Sequence, residues 1–448
     1  MNVYSGSYLI FVAVLWLLAW SLRDAKGRQV LFLTASYLFY ASWGFGFLAV
    51  LLFSSLMNFS WGRVLRRWPT AGMLWIGIAL NLLLLSLFKY LPPLLTGNLQ
   101  ESALADVMHS ILMPIGISFW TFQALSYLID TYREEEADPT LLEFCLYMAF
   151  WPTVLSGPVC RLYKMLPQFR ATLQPTLDDI AMGTFRLVVG LFMKLVMARI
   201  LEAGLHPGEG VSAGFDQLNS WGGLDVWFLG IGFGFQLFFD FAGYSHIVIG
   251  TALLFGIRLE ENFDRPFLST TPSVFWTRWH MSLSFWIRDY VFLSLAAMRR
   301  ETWWRNLALI AAMTLFGLWH GAAGTFIAWG IYHGMLLAGH RVWQQWRRGI
   351  AVSCPPFLEA ALSWGLTFAL ISLGWVFFRA HDLSQALSMV KAVATPSSYL
   401  HTALQPNFYL LTSVTVVGYF AYTWIESILK GLLVTPQAQP AAEYLVRR

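Results

Sequence analysis

The chain has 448 residues, of which 57% are hydrophobic and 12% charged, with a net charge of +4 and a mean hydropathy of +0.57. Soluble domains carry roughly 25% charged residues, so this composition excludes a water-soluble enzyme and predicts an all-α polytopic integral membrane protein. Cys145, Cys160 and Cys354 are an odd number without paired spacing, which argues against a disulfide framework and a zinc knuckle.

Apolar runs follow one another along the chain. They cover Tyr8–Trp20, Val30–Trp61, Met73–Tyr90, Ile111–Ile129, Phe144–Val159, Ile180–Ile200, Val226–Phe255, Val274–Met298, Leu307–Leu337, Phe357–Phe378 and Tyr409–Leu433. At roughly 20 residues per crossing they predict about eleven membrane helices. With short connections throughout, residues 1–448 read as one membrane domain. The first run has no basic n-region before it and no convincing small-residue cleavage site, so it reads as an uncleaved span.

Basic residues set the orientation. Arg23, Lys26 and Arg28, then Arg63, Arg66 and Arg67, then Arg299, Arg300 and Arg305 mark cytoplasmic loops, and the loop from Gly204 to Gly223, without Lys or Arg, faces outward. With Arg341, Arg347 and Arg348 also inside, the stretch from Asn306 to His340 goes out and returns as a helical hairpin. These clusters read as topology signals rather than a nucleic-acid surface.

Val30–Trp61 predicts two short helices turning near Gly44 and Gly46. In PIGISFWTFQALSYLIDTYR, Asp130 and Arg133 stand at helical spacing and predict a structural pair. Phe150 to Phe169 contains Pro152, Gly157, Pro158 and Pro167, and therefore predicts a broken or re-entrant element. Its non-helical backbone must be shielded by protein or water. Arg161 just beyond the break either binds an anion or reaches to lipid headgroups.

Gln236, Asp240 and Tyr244 fall at i, i+4 and i+8, a polar stripe on an apolar helix. A carboxylate at that depth needs a partner, and an arginine or histidine of the following segment is the natural candidate. Gly230, Gly232 and Gly234 follow no strand, so they read as close helix packing rather than a nucleotide loop. Trp276, His280, Ser284 and Arg288 then recur every four residues as one polar face. On that face His280 is a base, an anion donor or a hydrogen-bonded strut for Asp240.

Two short motifs echo each other, GLWHG at Gly317–Gly321 and GIYHG at Gly330–Gly334. A titratable imidazole in a membrane segment is costly and points to function. On one continuous helix His320 and His333 would lie roughly 20 Å apart and would not share a site. The chain lacks GxSxG, GxxxxGK[ST] and HExxH, the usual marks of serine hydrolases, nucleotidases and zinc hydrolases. A histidine acting as general base on a hydroxyl suits what remains, which is transfer of an acyl group to an alcohol.

FDFAGYSH at Phe239–His246, ENFDRPF at Glu261–Phe267, FWTRWHMSLSFWIRDY at Phe275–Tyr290 and GLWHG, with PIGISFWTFQALSYLID and SGPVCRLYKMLPQF upstream, resemble the membrane-bound O-acyltransferase (MBOAT) family. The likeness is strongest over residues 30–378 and to the bacterial alginate O-acetylation branch. It implies an MBOAT-like fold of membrane helices, with re-entrant and short helices around a central tunnel. His320 matches the presumed catalytic base and His280 a second residue important for activity; His333 reads as a packing or interfacial residue. The resemblance also implies that Asp240, Tyr244, Arg278, Ser284 and Trp319 shape the tunnel, while Arg161 or Arg288 holds an anionic part of the donor.

The implied donor is an acyl-CoA, commonly acetyl-CoA, used from the cytoplasmic side without a bound cofactor or metal. The implied acceptor is an exopolysaccharide or cell-wall polymer, reached through an extracytoplasmic acetyltransferase partner. That places the protein in the bacterial cytoplasmic membrane. Where alginate-type members continue RDYVF with a Gly-Gly-Asn-Arg turn, this chain has SLAAMRRETWWRN. Alginate itself is therefore not the expected acceptor. D-alanyl transfer to teichoic acid, and a transporter using Asp240 and Arg288 as coupling residues, are the alternative readings.

Overall fold

Helices begin where a side chain can take the orphan N–H groups of a first turn. In the computed structural model, which describes residues 1–92, 113–134, 138–172, 174–206, 208–347 and 355–433, Ser5 caps α1 (Gly6–Ser21) and Asp24 caps α2 (Ala25–Ala41). Arg348, Cys354 and the start of the Ile111–Ile129 run lie outside the described residues. The turn into α3 (Phe45–Arg67) uses Gly44 at φ +150°, a backbone that L side chains rarely adopt. The Val30–Trp61 run is thus two helices, as its length suggested, but α3 has 23 residues and is not short. Thr70 caps α4 (Ala71–Lys89).

After α5 (Ile117–Tyr132), a Thr140–Glu143 capping box opens α6 (Leu141–Ala149). The chain then runs without helix to Arg161, before α7 (Leu162–Arg170). This is the predicted break, and it is buried: Phe150, Trp151, Val154 and Cys160 are almost fully covered. Its polar backbone is satisfied from three directions. Trp151 N–H donates to Ser36 Oγ (3.1 Å), Val159 N–H donates to Ser282 Oγ (2.9 Å), and the Cys160 carbonyl accepts from Tyr147 (2.9 Å). Shielding by protein is the condition under which irregular backbone survives at membrane depth.

α8 (Leu177–Ala203), with a π turn at Met193–Met197, lies along α10 (Gly223–Leu254), and the short α9 (Val211–Asp216) sits between them in sequence. Gly230 and Gly234 of α10 let α15 (Pro356–Arg379) approach: an added Cβ would lie 2.6 Å from the Ser372 carbonyl and 2.7 Å from the Trp375 ring. The packing reading of these glycines therefore holds.

The Val274–Met298 run is not one helix. It divides into α11 (Pro272–Trp276) and α12, which starts at Met281–Trp286, passes through a π turn at Ile287–Phe292 and ends at Leu293–Ala296. A bridge between Phe263 and Trp279 pulls the intervening backbone away from the helix axis, so Trp276 and His280 do not share a helical face. α13 (Thr302–His320) and α14 (Gly324–Arg347) form the expected hairpin, followed by α15, α16 (Leu383–Ala394) and α17 (Pro406–Leu433).

The protein is thus all-helical among the described residues and multi-pass. Among the described residues six helices are long and apolar enough to cross a bilayer: α3, α4, α8, α10, α15 and α17. On the side predicted to be cytoplasmic, ion pairs tie the loops together, among them Arg66–Asp138, Arg170–Glu143 (2.7 Å), Lys164–Glu260 and Arg258–Asp179 (3.1 Å). Cys145 and Cys160 are free and buried.

Candidate active site

His320 is the last residue of α13, where the helix ends against Gly321. Its half-buried ring sits among aromatics, with centroids at 4.7 Å from Trp319, 4.9 Å from Phe378, 5.2 Å from Phe316 and 5.4 Å from Trp329. The hairpin brings His333 close as well, because Trp329 also packs on His333 at 4.9 Å. The 20 Å separation of a continuous helix does not apply: both imidazoles pack on one indole. His333 is fully buried among Trp276, Trp329 and Tyr332, with both ring nitrogens unpartnered among the described residues, and it packs as the sequence suggested.

His280 precedes α12 in a left-handed conformation (φ +43°) that costs a non-glycine residue about 1–3 kcal/mol. Asn262, fully buried, holds this corner. Its Oδ1 accepts from Ser282 Oγ (2.6 Å) and lies 3.4 Å from His280 Nδ1, while its Nδ2 donates to Ser245 (3.1 Å). With Nδ1 carrying the proton toward Asn262, Nε2 is left as a bare acceptor, and it is buried without a partner among the described residues. Ring contacts lead from Trp279, next to His280, through Trp375 (4.9 Å) and Phe378 (5.9 Å) to His320 (4.9 Å). The two histidines singled out by the sequence therefore belong to one neighbourhood.

Trp319 joins them through Lys89, whose ammonium donates to the Trp319 carbonyl and lies 5.0 Å from the centre of the Trp319 ring. Ser284 is used structurally, its hydroxyl donating to the Trp279 carbonyl (2.9 Å). Arg278 is half-buried, and its carbonyl accepts from the Asp264 N–H (3.0 Å).

The expected arginine or histidine partner of Asp240 is replaced by Lys194, 2.5 Å away from the π turn of α8. The same lysine lies over the rings of Tyr4 and Tyr244. His280 is therefore not the strut for Asp240: it packs on Phe241 (4.6 Å) and faces Asn262. The predicted Asp130–Arg133 pairing is also redrawn around Tyr290. That hydroxyl donates to both Asp130 oxygens (2.8 Å each), and the Arg133 guanidinium lies over the Tyr290 ring.

Arg161 and Arg288 converge on Asp289, at 2.7 Å each. From there a run of ring contacts reaches His320. Arg161 lies over Tyr290 (5.1 Å), Tyr290 packs on Trp286 (5.0 Å), Trp286 on Phe122 (4.3 Å), Phe122 on Trp319 (5.4 Å), and Trp319 on His320. The arrangement links a charged cluster to the His320 imidazole through a run of aromatic rings. A groove of about 890 Å³ lies elsewhere, between α14 and α15, lined by His340, Trp343, Arg347 and Glu359, and includes neither His280 nor His320.

Asn262, Lys89, Lys194 and Asp289 were missed by sequence reasoning. Asn262 stood inside a quoted motif, where a fully polar residue among aromatics was the available signal. Lys89 ended an apolar run, and no spacing connects it to a carbonyl 230 residues away.

A model of the membrane-bound O-acyltransferase family matches residues 67–380, which include His280, His320, Asn262 and Lys89. The chain belongs to the MBOAT family. As an MBOAT protein it is a membrane-embedded O-acyltransferase that uses an acyl donor. The probable alginate O-acetylase AlgI of Pseudomonas aeruginosa is 35% identical over 413 residues, covering 87% of this chain and 74% of the relative. The peptidoglycan O-acetyltransferase of Helicobacter pylori is 33% identical over 393 residues, covering 80% and 72%. The teichoic acid D-alanyltransferase of Streptococcus thermophilus is 35% identical over 254 residues, covering 54% and 60%. Among the described residues of this MBOAT member, no group of three or more His, Cys, Asp or Glu side chains is placed to hold a metal ion.

Proposed function

We propose that the protein, in the bacterial cytoplasmic membrane, moves acetyl from cytoplasmic acetyl-CoA to hydroxyls of an exopolysaccharide or cell-wall polymer outside. The observation that carries this reading is His320, held at a helix end in an aromatic enclosure that runs back to Arg161 and Asp289. His320 takes the proton of the acceptor hydroxyl as its oxygen attacks the acetyl carbonyl. The new C–O ester bond forms, the C–S bond of the thioester breaks, and the departing thiolate takes the proton from the imidazolium. His280 presents its bare Nε2 to the same neighbourhood. Arg161 and Arg288 hold a phosphate of the donor when Asp289 yields them. A separate extracytoplasmic acetyltransferase supplies the first acceptor hydroxyl and passes acetyl to the polymer.

Transfer of D-alanine to teichoic acid is the second reading, favoured by the similarity over 254 residues to a D-alanyltransferase. Surface polymer from a strain lacking this gene, complemented with wild type, His320→Ala or His333→Ala, separates the two. Wild type restores alkali-labile acetate rather than D-alanine. His320→Ala drops it by about 100-fold or more at equal membrane accumulation, the scale of a lost general base. His333→Ala lowers accumulation but keeps acetate per accumulated protein within about 2-fold, since its ring serves packing. Restored D-alanine ester selects the second reading, and full acetylation by His320→Ala removes His320 as the base.

A further inference from the structure

We infer that Lys89 is the positioning residue for His320, and that it acts through its charge as well as its reach. The inference rests on the assignment of His320 as the base. α13 ends at His320, and the last carbonyls of a helix have no intrahelical partner and carry about half a negative charge. The last residue of α4 and the C-cap that follows it take two of them: the Tyr90 hydroxyl donates to the Leu318 carbonyl (3.0 Å) and the Lys89 ammonium to the Trp319 carbonyl.

A lysine at the end of an apolar helix ordinarily extends toward water. Here the ammonium also donates to Ser118 Oγ of α5 (3.2 Å) and lies over the Trp319 ring at 5.0 Å. That ring is packed on its other contacts by Phe119 (5.8 Å) and Phe122 (5.4 Å) of the same α5. Lys89 thus ties three elements, α4, α5 and α13, at the residue preceding the imidazole. A charged hydrogen bond among aromatic side chains is stronger than a neutral one. Without it the Trp319 carbonyl and indole lose their anchor, and the His320 ring no longer has one position relative to the acceptor hydroxyl.

The test uses the same complementation, with full-length protein and alkali-labile acetate per accumulated protein as readout. Lys89→Met keeps the length of the side chain without charge or donor, Lys89→Arg keeps both, and Tyr90→Phe removes the neutral bond to the same helix end. Lys89→Met falls by about 10-fold or more, Lys89→Arg retains about a third or more of wild type, and Tyr90→Phe loses less than about 3-fold. If Lys89→Met does not accumulate, Lys89→Gln is compared with Lys89→Arg at matched accumulation under the same criterion. The inference is overturned if the uncharged variant transfers like wild type, if arginine does no better than the uncharged variant, or if Tyr90→Phe costs as much. A His320→Ala control that acetylates normally overturns instead the reading on which this one rests.

Discussion

Arg161 is the residue whose two readings from sequence, anion binding or lipid contact, the structure separates. It is largely covered, paired with Asp289 and laid over Tyr290, contacts that favour anion binding over lipid contact. Asp289 occupies the guanidinium that a donor phosphate would take, and it is shared with Arg288. Arg161→Gln should therefore raise the apparent KM for acetyl-CoA by about 10-fold while leaving kcat within about 2-fold, the pattern of lost uniform binding. Initial rates in membrane vesicles with acetyl-CoA as donor check this. A fall in kcat at unchanged KM would move Arg161 from donor binding to the support of Tyr290 and Trp286.

The α13–α14 hairpin is the element that assembles the imidazole centre. Its helices touch backbone to backbone: a Cβ on Gly317 would lie 2.1 Å from the Phe326 carbonyl, and one on Gly330 would lie 2.4 Å from the Met313 carbonyl. Neither carbonyl can move without shifting its helix. Gly317→Ala or Gly330→Ala should each destabilise the protein by about 1–3 kcal/mol, the usual cost of overpacking, read as a lowered thermal midpoint in detergent. Transfer should fall further than stability in Gly317→Ala, because splaying the hairpin separates Trp329 from His320. Wild-type transfer in that variant would show that the close approach serves packing alone. The echoed glycine motif was visible in sequence; its effect, two histidines packed on one indole, was not.

Across the whole molecule, charge sorts to one side. The ion pairs of Arg66, Lys164, Arg170 and Arg258 form a belt on the face the basic loops assign to the cytoplasm. Asp216, within the loop assigned to the exterior, is bound by Arg379 (2.8 Å) and faces His381 (3.0 Å). On a Cys354→Ser background, Ser220→Cys should react with an impermeant maleimide in intact spheroplasts, and Arg300→Cys only after permeabilisation. Both positions are exposed. The reverse pattern would invert the orientation and with it the cytoplasmic side of the donor.

Hydrophobicity and local motifs act over a few residues, and what depends on them was legible in the chain: an all-helical membrane protein, the broken segment around Gly157, the hairpin, and the motifs around His280 and His320 that carry the family. Each of these follows from the cost of placing polar backbone or charge in hydrocarbon. Partner choice is different, because a buried charge is neutralised by whichever group the fold brings within about 3 Å, irrespective of sequence distance. Asp240 therefore meets Lys194 rather than an arginine or histidine of the central stretch, Asp130 meets Tyr290, and Lys89 meets Trp319. The same reasoning accounts for α11 and α12, where an extended run of helical spacing is interrupted because Asn262 and Phe263, from a preceding loop, capture the backbone and side chains around His280. Sequence by itself determined the apolar helical segments and the motifs that carry the family, and tertiary structure decided which residues face one another.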